Sequence, residues 1–568
     1  KPGLVVLDDA DLGFRDREEM WPQSIHDADA RNPIVVKMSK PVGDGPLWQH
    51  LIANCADRLI AVTNVNDLRC SEMQVSCGLS WERTAQDLFW ELVFNPKVNA
   101  LSRCKHVIVS MYTAGALLLS RTAPDPDKPI VSWDCKLFFD PAVIENTWGE
   151  QHPGCMIGYT TCLVAGIARE LMLPQGSIEQ GIQSGTAAMR KLHIEGYGTQ
   201  EMGPEADLNG PAFPTRSIAA ELAADQKPLA TVTVENPVRF LRPSSAEDAQ
   251  EARASFWTIL DEVCKAKQEG DDGCEDALGE MARRIVVQDP ADEAEPVAEV
   301  PTGRLRALVT ADRREIESYR NLHTLIEEYC RQPQKRPLAI GVFGPPGSGK
   351  SFGVTQVAKS VTGADVEDCT FNMSQFDDPS GLIAALHQVR DIALSGKTPL
   401  VFWDEFDARL TDQENGWLRF FLAPIQDGEF RDGELTHHVG KAIFVFAGGT
   451  SVSMAEFDRG RDDEEFVQAK GPDFVSRLKG YVDVMGPNCQ DEECPENDAH
   501  HLVRRAIILR SLLERNAPQL SAGGDGKGKL EIDTGVLRAF LYISKYKHGV
   551  RSMEAIIGMS TLARKDQF

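Results

Sequence analysis

The most constraining stretch of the sequence is a short apolar run that leads directly into a glycine-rich turn. The run, Leu338 to Phe343, is rich in strand-forming residues and predicts a buried β-strand. Residues 352–360 after the turn read as a helix. The eight residues between them fit the pattern G-x-x-x-x-G-K-[ST] at every position: Gly344, Pro345, Pro346, Gly347, Ser348, Gly349, Lys350 and Ser351. Glycines let successive backbone N–H groups converge on one anion, and the dipole of the following helix favours negative charge there. The stretch therefore predicts a phosphate-binding loop.

Three side chains of this stretch predict what the loop holds. Lys350 would neutralise the β- and γ-phosphates of a nucleotide, and the hydroxyl of Ser351 would hold Mg²⁺. Phe352 follows at the start of the helix, beside the expected nucleotide. Glycine- and proline-rich turns are common and a bare pattern can arise by chance. A strand, a loop and a helix in this order favour the nucleotide-binding interpretation.

A second apolar run, Pro399 to Trp403, ends in two carboxylates. Asp404 would orient the coordination shell of Mg²⁺, and Glu405 would polarise the attacking water as a general base. Acidic residues also follow strands at protein surfaces without any function. The order and spacing, about fifty residues after the lysine of the loop, favour the functional interpretation.

Three further polar side chains follow at strand or helix ends. Thr450 comes after the apolar run 441–447 and is the predicted sensor of the γ-phosphate and the attacking water, with Ser451 as the second choice and a plain turn residue as the open alternative. Arg477 precedes a predicted strand at 480–484. Arg551 lies at the start of the last predicted helix.

Residues 336–562 resemble the AAA+ ATPases in this set of motifs taken in order. The resemblance assigns Walker A to the glycine-rich turn, Walker B to Asp404 and Glu405, sensor 1 to Thr450, an arginine finger to Arg477 and sensor 2 to Arg551. It implies ATP and Mg²⁺ as cofactors and a homo-oligomer, usually a hexameric ring. In such a ring a neighbour's arginine stabilises the charge that develops on the γ-phosphate. Arg477 pairing with a nearby carboxylate such as Asp473 is the open alternative.

Two features that some AAA+ proteins use on their clients are missing from the sequence. Residues 371–396 contain no aromatic-apolar-glycine loop of the kind that grips a peptide, which argues against a threading unfoldase. No basic, aromatic-rich loop suited to remodelling DNA is visible either. The expected partners are a protein client or a small-molecule ligand of the first domain.

The first 200 residues alternate short apolar runs with helical patterns, which predicts a doubly wound parallel α/β sheet. Strands are expected at 3–7, 33–38, 59–63 and 106–111, and helices at 47–58 and 80–94. Asp8 and Asp9 follow the first strand, where a carboxylate could serve a metal or a hydroxyl, although a solvated loop is the simpler interpretation.

Residues 105–171 resemble the carboxyl-terminal part of ribokinase-like sugar and nucleoside kinases. The match of Ala165-Gly166 to an A-G pair of that family puts its G-A-G-D motif on residues 158–161, and the position of the catalytic aspartate holds Thr161. A threonine cannot accept the substrate proton at neutral pH. The resemblance thus implies a ribokinase-like domain without kinase activity. A rival interpretation keeps an active kinase, with Asp8 or Asp9 as the base.

These observations divide the chain into four predicted segments. They are a ribokinase-like α/β domain at 1–225, a linker with helical segments at 226–335, an AAA+ α/β domain at 336–487 and a helical lid at 488–568. The acidic, proline-interrupted residues 288–301 cannot bury enough surface to fold alone. The runs 343–358 and 547–560 also resemble bacterial proteins that join a ribokinase-like region, an AAA+ ATPase and sometimes a ryanodine-receptor repeat, which would lie after Phe568.

Composition limits the environment and the partners. The formal net charge of −25 argues against nucleic acid as the main partner. The thirteen cysteines are scattered, which predicts reduced thiols in a cytoplasmic protein. No run approaches the roughly 20 apolar residues of a membrane span, and the first residue, Lys1, is consistent with a piece of a longer chain.

Taken together, the sequence predicts an ATPase that works at subunit interfaces to assemble or remodel a partner, with a first domain that senses a ligand or partner. Two alternatives stay open. One is a bifunctional protein with an active small-molecule kinase, and the other is a nucleotide-switched scaffold with little turnover.

Overall fold

The chain forms two compact units. The first comprises Lys1–Ala266 with Ala298–Pro301, and the second comprises Lys267–Val297 with Thr302–Phe568. The computed structural model describes residues 3–9, 13–27, 30–122, 133–145, 156–200, 210–224, 229–235, 257–270, 277–288, 300–363, 365–411, 413–490, 498, 500–521, 528–562, 565, 567 and 568. The predicted linker 226–335 contributes to both units. The distinction between residues 336–487 and a lid at 488–568 stays a prediction, because this division does not separate them.

The first unit is built around one mixed sheet. Its strands are β1 Val5–Asp9, β2 Ile34–Met38, β3 Leu59–Asn64, β4 His106–Ser110, β5 Gly115–Arg121, β6 Trp133–Phe139, β7 Gly198–Gln200, β8 Gly210–Ala212 and β9 Ala230–Thr233. Its helices are α1 Gln23–His26, α2 Pro46–Asn54, α3 Val65–Cys70, α4 Trp81–Phe94, α5 Tyr159–Met172, α6 Ile178–Glu195, α7 Thr215–Ala223 and α8 Ile259–Gly270, which begins in this unit.

The strand order of the first unit is β1-β2-β3-β4-β5-β6-β9, with β7 and β8 paired separately. Strands β1 to β4 are parallel to one another. The neighbouring pairs β4–β5, β5–β6 and β6–β9 are antiparallel. The doubly wound prediction is therefore wrong in its strand order, which does not reverse among the described strands. The four predicted strands, β1 to β4, are parallel as expected, and the sheet becomes mixed after them. Only four residues, 111–114, join β4 to β5, and a connection so short can return a strand only antiparallel.

Helices cover both faces of this sheet, as the α/β prediction requires. Buried residues of α5, α6 and α7 pack on the face that carries Phe138, and the ring of the next residue, Phe139, lies 5.7 Å from that of Trp81 in α4. Successive residues of a strand face opposite sides, so α4 lies on the other face. Helices α5 and α6 approach closely at Gly166, where a β-carbon would lie 2.6 Å from the carbonyl oxygen of Gly181.

The second unit contains a parallel sheet and a helical cluster. Its strands are β10 Gly303–Leu305, β11 Leu308–Thr310, β12 Leu338–Phe343, β13 Val366–Asn372, β14 Thr398–Asp404, β15 Glu429–Asp432, β16 Leu435–His438, β17 Ile443–Ala447 and β18 Gly480–Asp483. Its helices are α9 Ala277–Val287, α10 Arg313–Arg331, α11 Lys350–Thr362, α12 Pro379–Leu394, α13 Leu418–Gln426, α14 Met454–Phe457, α15 Glu464–Gln468, α16 Gly471–Val475, α17 His501–Asn516, α18 Thr534–Tyr542 and α19 Val550–Met559.

Five parallel strands form the main sheet of this unit, in the order β13-β14-β17-β12-β18. The three central strands, β14, β17 and β12, are buried along almost their whole length because helices and aromatic side chains cover both faces. Their carboxyl ends meet at one edge of the sheet. The fold thus brings the glycine-rich turn, the Asp404 region and the turn after Ala447 together.

Helix α9 belongs to the helical cluster of the second unit. Its buried residues Ala282 and Val286 pack in one core with residues of α17, α18 and α19. The guanidinium of Arg510 in α17 donates to the carbonyl oxygens of Val286 and Gln288, at 3.0 Å each. A helix placed by its sequence in a linker is therefore part of a core formed mainly by the end of the chain.

Two expectations from composition can be compared with the described residues. The ten cysteines among them are free thiols, as predicted. No helix in the described ranges is both long and apolar enough to cross a membrane.

Candidate nucleotide-binding site

The glycine-rich turn leaves the end of β12 and requires glycine at three positions. Gly344, Gly347 and Gly349 have φ values of 145°, 77° and 96°, which side chains rarely tolerate. A β-carbon on Gly344 would lie 2.4 Å from the carbonyl oxygen of Val484, and one on Gly347 would lie 2.2 Å from that of His548. The turn is thus held between two other backbone segments, and a substitution at either glycine would displace them.

Helix α11 is present as predicted, but it begins at Lys350, two residues before the predicted start and within the eight-residue pattern. Gly349 caps it without a side-chain hydrogen bond, so its first N–H groups have no capping side chain. Lys350, the first helical residue, donates its Nζ to the carbonyl oxygen of Gly344 at 2.6 Å and to that of Pro345 at 3.4 Å. Ser351 and Phe352 are exposed. The lysine is held against the same loop whose anion it is predicted to neutralise.

The electrostatic surroundings of Lys350 connect several predicted residues. Burial lowers the pKa of Lys350, the carboxylates of Asp404 and Asp407 raise it, and the guanidinium of Arg551 lowers it. The hydroxyl of Ser348 is buried and forms no hydrogen bond within the described part of the chain. An unsatisfied donor inside a loop of backbone N–H groups is consistent with a site for an anion.

Asp404 is the last residue of β14 and is partly buried. Burial raises the pKa of its carboxyl, Lys350 lowers it, Glu405 raises it and Arg551 lowers it. Among the described residues none donates a hydrogen bond to this carboxylate. Asp404 therefore combines a carboxylate without a hydrogen-bond donor with two nearby cations, as its predicted role at a bound metal and phosphate requires.

Glu405 follows in a left-handed backbone conformation, with φ 54°. Its N–H donates to the carbonyl oxygen of Ala447 at 3.0 Å, which fixes the carboxyl end of β14 to that of β17. A β-carbon on Gly449 would lie 2.8 Å from Cγ of Glu405, so only glycine lets the two turns approach this closely. The side chain of Glu405 is exposed, where a water molecule can reach it.

Thr450 lies in the turn after β17, as predicted, and a carboxylate that the sequence interpretation missed holds it there. The buried Asp407 accepts hydrogen bonds from the N–H groups of Gly449, Thr450 and Ser451 at 2.8, 2.9 and 3.2 Å. It also accepts the hydroxyl proton of Thr450 at 2.6 Å. Because the hydroxyl uses its one proton in this hydrogen bond, it can only accept a further hydrogen bond.

A signal for Asp407 was present in the sequence. It is the third residue after Asp404, and the turn at 448–451 presents consecutive backbone N–H groups without a partner in a strand. Such a turn needs a nearby acceptor. The sequence alone does not show that the chain after β14 bends back to provide it.

Arg551 lies beside the glycine-rich turn, in the first turn of α19. The N–H of Val550 donates to the carbonyl oxygen of Gly347 at 2.9 Å. Gly549, with φ 54°, approaches the same oxygen so closely that a β-carbon would lie 2.7 Å from it. The structure thus brings the predicted sensor 2 residue together with Lys350 and Asp404.

Arg477 does not join this group within the chain. Its guanidinium donates to Oε1 of Gln426, at 3.0 Å from Nε, and to the backbone oxygen of Asp473. The carboxylate of Asp473 lies 4.0 Å away, so the alternative ion pair is present at the edge of its range. None of the hydrogen bonds that Arg477 forms in the described ranges reaches the glycine-rich turn.

The candidate residues of the first unit form two separate contacts. Asp9 is buried and pairs with Arg15 at 2.9 Å, which leaves it no role as a base. Lys37 donates to the Asp8 carboxylate at 3.0 Å and to the hydroxyl of Thr161 at 3.1 Å. Helix α5 begins at Tyr159 after Gly158, so Thr161 lies in its first turn.

Comparisons with known proteins give little beyond this geometry. No protein-family model matches the chain, and no curated protein matches it. Similar solved structures include NtrX from Brucella abortus in complex with ADP, at 17% identity, a TM-score of 0.28, and coverage of 42% of this chain and 48% of that one. The NtrX structure in complex with ATP matches at 15% identity and a TM-score of 0.28, with coverage of 42% of this chain and 50% of that one. This chain spans about half the length of these neighbours. At such TM-scores the likeness supports no inference about this protein.

Proposed function

We propose that the chain binds Mg·ATP at residues 344–351 and hydrolyses it as an ATPase of the AAA+ type. One observation carries the proposal: the ends of three neighbouring parallel strands and the start of α19 bring the glycine-rich turn, Lys350, Asp404 and Arg551 into one place. Backbone N–H groups and two cations around an unsatisfied hydroxyl suit a polyphosphate.

The metal expected with the nucleotide fits the residues present. The hydroxyl of Ser351 and the carboxylate of Asp404 are the hard oxygen ligands that Mg²⁺ prefers. The exposure of Ser351 and the lack of a described donor to Asp404 leave both able to bind it. Held there, the ion would supply positive charge that offsets the charge of the phosphate groups.

Water activation is assigned to Glu405, with Thr450 as its partner. The exposed carboxylate of Glu405 would accept a proton from water, and the Thr450 hydroxyl, whose own proton is donated to Asp407, would accept a second hydrogen bond from that water. Asp407 is in this view a positioning residue, because it acts through Thr450 and the turn that carries it.

Completion of the site is assigned to a second copy of the chain. Arg477 reaches no phosphate-binding residue of its own chain in the described ranges, so its role as an arginine finger requires a homo-oligomer, which we propose to be a hexameric ring. Hydrolysis between subunits would then drive assembly or remodelling of a partner. The first unit would sense a ligand or that partner.

Nucleotide binding by the full chain tests the proposal most directly. Lys350→Ala should abolish binding of a fluorescent ATP analogue, because it removes the cation held against the loop. The matched control is Lys359→Ala on the same helix, whose lysine pairs with Asp368. Binding by Lys350→Ala equal to that of the wild type would refute the assignment of the loop.

A kinase activity of the first unit is the second candidate, and one observation keeps it open. Asp8 lies 3.0 Å from the ammonium group of Lys37, which also reaches Thr161 at the start of α5. Because the ion pair with Lys37 already engages this carboxylate, this candidate is the less favoured one. Transfer of ³²P from ATP to a sugar or nucleoside by the Lys350→Ala chain, lost on Asp8→Asn, would establish it.

A further inference from the structure

A second cluster of chemically reactive side chains lies in the same unit, on α12 and the hairpin formed by β15 and β16. We propose that His387, Asp432 and His437 form a binding site for a divalent transition-metal ion of the Zn²⁺ class. One ring nitrogen from each histidine and one carboxylate oxygen lie within 4.8 Å of one another. This site shares no residue with the proposed nucleotide site.

The hairpin places two of the ligands on one face. Phe430 pairs with His437, and Asp432 pairs with Leu435, so side chains of all four residues share a face. His437 and Asp432 are diagonal neighbours on it. The adjacent residue His438 belongs to the opposite face, where it lies 3.4 Å from Glu429.

Helix α12 supplies the third ligand against this face. The ring of His387 packs edge-on against those of Phe430 and His437, with centroids 4.9 and 4.8 Å apart. Nε2 of His387 lies 3.2 Å from Oδ2 of Asp432. Packing on a buried phenylalanine restricts the rings, so the ligands are partly arranged before any ion binds.

The distances and ligand types select the class of ion. Two ligands about 2.0–2.1 Å from a tetrahedral Zn²⁺ lie roughly 3.3 Å apart, close to the separation of His387 and Asp432. Two imidazoles and one carboxylate suit Zn²⁺, Co²⁺ or Ni²⁺, whereas Mg²⁺ and Ca²⁺ prefer oxygen ligands alone. Three protein ligands leave a fourth position for water.

Arg390, a neighbour of His437, allows the proposed metal site to be tested by a substitution that should strengthen binding. Its Nη1 donates to Nδ1 of His437 at 3.2 Å, and its guanidinium also pairs with Asp391 at 2.9 Å. Since a guanidinium only donates, that nitrogen of His437 carries a lone pair. Arg390 therefore competes with a metal ion for His437 and repels it by charge. Its removal should strengthen binding.

The experiment is a titration of the chelator-treated full chain with Co²⁺, without nucleotide, followed by displacement with Zn²⁺. We expect one equivalent with a visible spectrum typical of nitrogen and oxygen ligands, which Zn²⁺ removes. His387→Ala and His437→Ala should lose this equivalent, and His438→Ala should keep it. Arg390→Gln should bind Co²⁺ more tightly than the wild type.

Three results would overturn the proposal. They are an unchanged equivalent in His387→Ala and His437→Ala, a thiolate-to-cobalt charge-transfer band in its place, or no equivalent in the wild type and Arg390→Gln. Circular dichroism of each variant shows whether it is folded. If a histidine variant is not folded, Asp432→Asn, at an exposed position, replaces it. Binding of the same equivalent of Co²⁺ by Asp432→Asn would also count against the site.

Discussion

Glu405 adopts a backbone conformation that non-glycine residues avoid, at the point where the proposed reaction needs a base. With φ 54° the strain amounts to about 1–3 kcal/mol, and the hydrogen bond to Ala447 and the contact with Gly449 maintain it. The same backbone turn that strains Glu405 exposes its carboxylate at the edge of the sheet. Strain of this kind is consistent with selection for function at this residue.

Glu405→Gln should keep nucleotide binding and lose hydrolysis. The amide is nearly isosteric but cannot accept the proton of water, so we expect kcat to fall about 10²- to 10⁴-fold. Steady-state ATPase assays and fluorescent-nucleotide binding measure the two effects separately. Glu414→Gln, at a carboxylate that pairs with Arg409, is the control. Undiminished turnover in Glu405→Gln would remove it from the scheme.

Asp407→Asn should destabilise the turn that carries Thr450. Four donors converge on the buried carboxylate, and an asparagine would turn an N–H group towards one or more of them. The expected loss in the free energy of unfolding is about 1–3 kcal/mol. Thr450→Val removes one of the four bonds and should cost about 1 kcal/mol. Urea unfolding checks both, and a smaller loss for Asp407→Asn than for Thr450→Val would contradict this account.

Asp404→Asn should stabilise the nucleotide-free protein at neutral pH. Because burial raises the pKa of Asp404, the folded state binds its proton more tightly than the unfolded state does. The associated stability is present below about pH 4 and is lost as the pH rises through the folded-state pKa. The gain at pH 7 is up to about 1 kcal/mol, since the group is partly exposed and screened.

Urea unfolding of Asp404→Asn between pH 4 and pH 7 measures this dependence. The difference from the wild type should grow as the pH rises, while Mg·ATP binding is lost. Asp427→Asn, which replaces an exposed carboxylate after α13, is the matched control. A gain that is equal at both pH values would assign the effect to something other than the charge.

At the scale of elements, the positions of strands in the second unit could be predicted from the sequence. Which strands lie next to each other in a sheet could not. The apolar run 338–343 is β12 residue for residue, because a strand buried on both faces is apolar throughout. The periodicity of α4, predicted at 80–94, is equally plain. Strand direction depends on connections, and in the first unit the four residues 111–114 make β5 antiparallel to β4 in a sheet that was predicted to be parallel.

The candidate site also could be predicted from the sequence only in part. Spacing alone predicted roles for Lys350, Ser351 and Asp404, because the proposed chemistry requires those residue types in that order, and these roles stay predictions. It missed Asp407, whose role depends on how the chain bends after β14. It also gave no reason to join α9 to the last helices, since that contact depends on tertiary packing between residues more than 200 positions apart.

Arg510 fixes α9 to the helical cluster, and its replacement should loosen that cluster. The buried guanidinium donates to the carbonyl oxygens of Val286, Gln288 and Gly528. Arg510→Met would leave these acceptors without a partner and should lower the free energy of unfolding by about 2–4 kcal/mol. Arg515→Met, which removes an exposed pair with Glu554, should cost at most about 1 kcal/mol. Equal midpoints of urea unfolding for the two variants would contradict this.

At the scale of the whole molecule, the proposed mechanism requires that the active site of a single chain is incomplete. The glycine-rich turn, the carboxylates and Arg551 meet within a subunit, whereas Arg477 binds Gln426 and the Asp473 backbone instead. A cation supplied by a neighbour makes turnover depend on assembly. The rate per subunit should therefore rise with protein concentration, and a scaffold with little turnover would show no such rise.

Mixing two inactive variants tests whether the arginine acts between subunits. Arg477→Ala should bind ATP but lose about 10³- to 10⁵-fold in kcat, the usual contribution of an arginine finger. Lys350→Ala cannot bind ATP but still carries Arg477. In a mixed oligomer the nucleotide on an Arg477→Ala subunit can face an intact arginine of its neighbour, so activity should reappear on mixing. Arg459→Ala, at a partly exposed arginine near Glu414, should be active by itself. If the mixture stays as inactive as its components although the subunits co-assemble, the arginine does not act in trans.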